Sequence, residues 1–246
     1  MKYFLNLILI FLSISVFAQS KKSIPKKIVK KTIAKPKPDL EKLNEALPDL
    51  IPKKINGKLG YINQKGKFII APEYNFGTFF WEDCNLLNSP NENIRKFGTA
   101  DYASVTIGEN DYRIDKTGKK AYTFNQDDFG KCQINYKEPV FRSYILRGFY
   151  GIVEPSKFTN EEDSKQYQIY PQYQYLHVME SEDPKNPMII ASINDRFGVI
   201  DIHNRIIIPF EYSDIKRNYS WKMAKMFEVT TDDKNYFFVD EKNKAY

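Results

Sequence analysis

The sequence is short of the groups that most enzymes and metal sites need. It has two histidines, His177 and His203, and two cysteines, Cys84 and Cys132, in 246 residues. With the histidines in separate segments, neither a zinc ligand set nor a Cys-His pair follows from the spacing. There is no Gly-x-Ser-x-Gly elbow, and the glycines stand singly in turns, so no phosphate-cradling loop is present. The acidic pairs Asp127-Asp128, Glu161-Glu162 and Asp232-Asp233 lack the alternating spacing of a calcium loop and read as solvated charges. No catalytic, cofactor-binding or metal-binding residue can therefore be named, and the expected class is a non-enzymatic protein with no cofactor. After the first 18 residues no apolar run reaches spanning length, which excludes a second membrane segment.

What is present points to strands. Apolar residues make up 42% of the chain and aromatic residues 15%, mostly Tyr and Phe, which favours β structure with a buried core. The formal net charge of +6 is unevenly placed, because Lys2 and eight lysines between Lys21 and Lys37 precede the first acid, Asp39. From Pro38 onward 28 basic residues face 31 acidic ones, so the body is mildly acidic and offers no nucleic-acid-binding face.

The first 18 residues have a basic start at Lys2, an apolar run from Leu5 to Phe17, and Val16 and Ala18 placed for cleavage before Gln19. This pattern predicts a signal peptide over 1–18 and an exported protein, periplasmic, outer-surface or secreted, with an uncleaved membrane anchor, for which the interrupted apolar run is short, as the alternative. Residues 19–38 form a Lys/Pro-rich linker with too little apolar content to pack. Its charge suits a spacer or an electrostatic tether to an anionic surface. Over 39–50, Asp39 as N-cap and Leu40, Leu43 and Leu47 on one face predict a short helix serving as a lid on the fold that follows.

From 51 to 246 the chain repeats itself. The template is Asn56 to Tyr74, NGKLGYINQKGKFIIAPEY. It reads as a strand (Gly60, Tyr61, Ile62), a turn from Asn63 to Gly66, and a second strand closed by Pro72 and Tyr74. Asn63 can accept from the backbone two residues on, and Gly66 tolerates positive φ, the chemistry of a type I turn followed by a left-handed residue. Copies start their turns at Asp115, Glu154, Asp201 and Asp240. Gly118, Asn204 and Asn243 hold the left-handed place, whereas the third copy has Pro155-Ser156-Lys157 and a longer acidic loop. The fold class is all-β, an array of short β-hairpin repeats, open and solenoid-like, with a propeller-like ring as the alternative.

These units resemble the WG repeats of bacterial exported proteins, whose pattern is an aromatic-Gly pair, two apolar residues, Asn or Asp, a Gly turn and a Pro-x-Tyr-like corner. The defining Trp is replaced by Leu59, Tyr150 and Phe197, and the Gly by Tyr112 and Phe237 in the second and fifth units. The resemblance implies a β-repeat protein and no particular ligand.

The segments between copies carry aromatics that could form one binding surface: Phe79, Phe80 and Trp81, then Tyr170 and Tyr173, then Tyr219 and Trp221. Core packing between units is the alternative. Cys84 and Cys132, even in number in an exported chain, permit a disulfide, with two buried thiols the other option. The expected function is protein–protein interaction at the cell envelope, with carbohydrate or cell-wall polymer binding, or an enzyme of unrecognised type, as alternatives. The expected partner is an envelope or secreted protein.

Overall fold

The computed structural model describes residues 47–133 and 138–246. The signal, linker and most of the expected helix lie outside these residues. Leu47 to Leu50 are bends and not helix, yet Leu47 and Leu50 are both buried.

Five small antiparallel sheets follow one another. The first holds β1 (Ile51–Ile55), β2 (Lys58–Ile62) and β3 (Phe68–Tyr74); the second β4 (Phe76–Gly77), β5 (Tyr102–Ile107), β6 (Asn110–Asp115) and β7 (Lys120–Thr123). The third holds β8 (Arg142–Leu146), β9 (Phe149–Val153) and β10 (Tyr167–Tyr173); the fourth β11 (Tyr175–Val178), β12 (Met188–Ile193), β13 (Arg196–Asp201) and β14 (Ile206–Tyr212). The fifth is β15 (Asp214–Ile215), β16 (Phe227–Thr230) and β17 (Phe237–Val239). Two short helices, α1 (Cys84–Leu87) and α2 (Glu92–Arg95), sit in an insertion between β4 and β5, and α3 (Ser220–Ala224) lies between β15 and β16.

The expected turn is built the same way four times. Asn63 Oδ1 accepts from the N–H groups of Lys65 and Lys67 at 3.0 Å, and Asp115, Asp201 and Asp240 accept from the N–H groups two and four residues on in the same way. Gly66, Gly118, Asn204 and Asn243 have φ of 79°, 88°, 65° and 59°, the left-handed region that glycine and asparagine tolerate. No residue of the third turn adopts it.

The recurring glycine has a tertiary explanation. Leu59 pairs with Tyr74 and Tyr61 with Ile70, so Ala71, Pro72 and Glu73 bulge opposite the single residue Gly60. A Cβ on Gly60 would lie 2.6 Å from Ile70 O. The third and fourth units repeat this arrangement at Gly151 and Gly198. Gly and Pro-x-Tyr are thus two halves of one bulge. Where Tyr112 replaces the glycine, Tyr112 and Arg113 pair in register with Thr123 and Tyr122, the three-residue bulge is missing, and the ladder shifts only between Arg113 and Ile114. A Gly198→Ala variant is expected to lose about 1–3 kcal/mol from forced backbone displacement, read as a lower urea midpoint. A midpoint equal to wild type would contradict the bulge as the reason for the glycine.

Side chains at the position of Tyr61 point forward into the core shared with another sheet. Tyr61 packs with Ala103, Val105 and Ile114 of the second sheet, Ile152 with Leu176 and Ile189 of the fourth, and Val199 with Ile215 and Phe227 of the fifth. Phe238 packs with Ile51, Ile62 and Phe79 of the first unit, so the fifth sheet lies against the first. The expected all-β array of small sheets is present, and its first and fifth units share a core. Among the described residues no buried core joins the second sheet to the third, and the break in the series falls there.

Hydrogen bonds follow the same order. Tyr74 Oη donates to Gly118 O (3.3 Å), Tyr173 Oη to Asn204 Oδ1 (2.6 Å) and Tyr212 Oη to Asn243 Oδ1 (2.6 Å). Each corner tyrosine thereby grips the left-handed residue of the following turn. Between the second and third units both halves of this joint are missing, because Tyr122-Thr123-Phe124 has no corner and Glu154-Pro155-Ser156-Lys157 has no left-handed residue.

Candidate binding site on the second sheet

At the break, the forward face of the second sheet has to be finished by something other than a sheet. The residue at the Tyr61 position is here Arg113, which is fully buried. Its Nε donates to Phe97 O (2.9 Å), Nη1 to Ser104 Oγ (3.1 Å), and Nη2 to Trp81 O (3.0 Å) and Thr99 O (2.9 Å). Three of the four acceptors are carbonyls of residues 81–99, so the guanidinium holds the helical insertion across the face. Burial pulls the Arg113 pKa below its ordinary value, and the Asp83 charge acts in the opposite direction.

The insertion covers only part of this face. Phe97 stacks on Tyr122 (5.3 Å between ring centres, 16° between planes), Tyr122 meets Phe124 at 5.7 Å and Phe124 meets Phe129 at 5.8 Å, a row of rings leading outward. Beyond it lies a cleft of about 500 Å³ lined by Phe76, Thr106, Glu109, Asn110, Asp111, Phe124, Gln126 and Phe129, among others. Phe76 and Phe129 are 59% and 43% exposed, high for phenyl rings. Thr106 Oγ1 donates to Asp111 Oδ1 (2.6 Å), which orients that carboxylate.

One wall of the cleft depends on α1. Gly130 N–H donates to Asn85 O (2.9 Å), and Gly130 presses so closely on Asn88 that no side chain fits. Two residues on, Cys132 is bonded to Cys84, with the Cα atoms 5.4 Å apart. Tyr122 Oη donates to Asp128 Oδ2 (2.6 Å), and burial together with that carboxylate pushes the phenol up to about 12. The segment carrying Gln126 and Phe129 is therefore fixed at both ends.

The aromatics singled out from sequence do not gather into one surface. Phe79 is buried between the first and fifth sheets, edge-on to Phe238 at 4.8 Å. Phe80 packs edge-on against Tyr61 (5.2 Å) and Trp81 against Phe79 (5.8 Å), both half-buried. Tyr173 is buried in the third–fourth core, and Trp221 is buried flat against Phe227 (4.8 Å, 4°). Tyr170 and Tyr219 alone of the seven are exposed, the first on β10 and the second at the start of α3. The physical reason is that sheets of three or four short strands have few side chains per face, so large rings are needed to fill the space between them.

The cleft was missed because Asp111, Thr123 and Phe124 fall in the second repeat copy, where they read as framework, and its other residues fall in no motif. One signal was available. The column Tyr61, Ile152, Val199 and Phe238 is apolar, and Arg113 interrupts it in the unit flanking the break.

Five antiparallel sheets, with one capped turn recurring in four of the five units, define a β-repeat protein. Residues 60–86 and 197–221, in the first and fourth units, match the model of the family described as WG containing repeat, and these two segments are similar to that repeat. None of the curated proteins matches the chain. Among solved structures, the chain is similar to a eukaryotic initiation factor at a TM-score of 0.28 and 11% identity over 80% of its own length. It spans about half, 51%, of that protein's chain. Among the described residues no helix is long and apolar enough to cross a membrane.

Proposed function

We propose that this is a non-enzymatic, exported repeat protein that binds a protein partner at the cell envelope, with the cleft on the second sheet as the docking site. The observation that carries the reading is the unfinished forward face at the break, where exposed Phe76 and Phe129 flank a cleft beside a face elsewhere covered by protein. In this reading the repeats serve as a rigid frame, and the lysine-rich linker 19–38 keeps the protein near anionic envelope surfaces.

The test is affinity capture from envelope fractions with wild type and a Phe76→Ala/Phe129→Ala variant whose circular dichroism is unchanged. One protein retained by wild type and lost by the variant is the expected result. Equal retention by both would defeat the reading of the cleft. The intact mass of the bait purified from the envelope should correspond to a start at Gln19, and a mass retaining residues 1–18 would argue against export by cleavage.

A further inference from the structure

The chemistry of the cleft narrows what can occupy it. Phe76, Phe124 and Phe129 meet the carboxylates of Glu109 and Asp111 in one space. Neither carboxylate has a basic partner among the described residues, and Thr106 takes one oxygen of Asp111. Covering them with a neutral ligand would strip water from two anions and supply no opposite charge. A cation resting on the ring faces is attracted by the rings and the carboxylates together. A volume of about 500 Å³ takes a few side chains of an extended segment and not a folded surface.

The protein already uses this combination on itself. Lys216 Nζ lies 4.2 Å from the centre of the Tyr236 ring and 2.6 Å from Glu228 Oε1, a lysine held by a ring face and a carboxylate. Lysine and arginine also have apolar stems that can lie along the phenyl rings while the head reaches the acids.

We infer that the cleft receives a lysine- or arginine-bearing extended segment of the protein partner. This rests on the reading of the cleft as a docking site. The mildly acidic body favours approach of such a segment at low salt.

The probe is hexalysine, titrated into the ¹⁵N-labelled chain and followed by NMR, with fully acetylated hexalysine and chitotriose as neutral comparisons. Hexalysine should shift the amides of Phe76, Glu109, Asp111 and Phe124 to Phe129, weakly at high salt. Losing two charge-assisted contacts, Glu109→Gln/Asp111→Asn should bind at least about tenfold more weakly. Glu162→Gln/Glu180→Gln, which removes surface carboxylates elsewhere, should bind as wild type does. Equal binding of the acetylated peptide, shifts confined to other sheets, or a cleft response to chitotriose alone would each overturn the inference. The capture experiment separates the two readings. If Phe76→Ala/Phe129→Ala loses the partner while Glu109→Gln/Asp111→Asn keeps it, docking stands and the lysine or arginine assignment falls. If both variants keep it, docking itself falls.

Discussion

Replacing Arg113 by methionine is expected to cost about 3–5 kcal/mol of unfolding free energy, the largest effect of any single change considered for this protein. Methionine would restore the apolar character of the column, but the acceptors are already committed. The carbonyls of Trp81, Phe97 and Thr99 converge on the guanidinium, and without it those of Trp81 and Phe97 lose their donor while Thr99 O keeps only the Tyr102 N–H at 3.3 Å. Arg113→Lys should recover only part of the loss, because an ammonium cannot reproduce a fork that reaches four acceptors in different directions. Urea unfolding followed by circular dichroism measures the cost, and hydrogen exchange locates it, with residues 81–101 opening first. A methionine variant with the wild-type midpoint would show that the insertion holds without the guanidinium.

The second large effect concerns Cys84 and Cys132. A bridge across a sequence separation of 48 residues restricts the unfolded chain enough to contribute about 3–4 kcal/mol in the chain-entropy account. Its position makes the consequence local as well as global. The bond ties α1 to the strand-free segment that follows β7, where no sheet-to-sheet core among the described residues does the work that cores do elsewhere. A Cys84→Ser/Cys132→Ser variant should therefore unfold at lower urea and exchange faster over residues 124–132. It should also bind hexalysine less well, because Phe129 and Gln126 lie on the released segment. Cys84 is exposed and Cys132 half-exposed, so a reductant can reach the bond. Mass spectrometry of the native protein with alkylation under non-reducing conditions should find no modified thiol. Two alkylated cysteines would remove the basis of this prediction.

Both effects lie at the break in the series of sheets, where the molecule departs from its own rule. The first, third, fourth and fifth units present an apolar side chain to a neighbouring sheet. The second presents a charge to backbone carbonyls, has a cover of short helices pinned by it, and leaves part of the same face open. An array whose faces were all matched would offer a partner only edges and turns. The mismatch is what creates a cleft, which is why the functional proposal rests there and not on the repeats themselves.

Much of the architecture was legible in the sequence because it is local. The capped turn involves an Asn or Asp, two N–H groups within four residues and one left-handed residue, and all of these are fixed by short-range sterics and hydrogen bonding. The break was legible in part, since the second unit's missing corner and the third unit's missing left-handed residue are visible as text. What they meant was not, because each half of the joint is made by a different unit. Most of the expected lid helix lies outside the described residues, and at its end Leu47 and Leu50 sit in non-helical backbone yet are buried, since an apolar face is needed there whatever backbone carries it. The aromatic surface failed for the opposite reason. Phe79, Tyr173 and Trp221 look available in segments between strands, but whether a ring there is exposed depends on which sheet lies above it, and strand pattern does not encode that. By itself the sequence determined the repeat, its turn and the all-β class, which depend on contacts a few residues apart. The tertiary structure alone decided that the first sheet packs on the fifth, that Arg113 is interior and that the cleft lies on the second sheet, because these follow from which faces meet across long sequence distances.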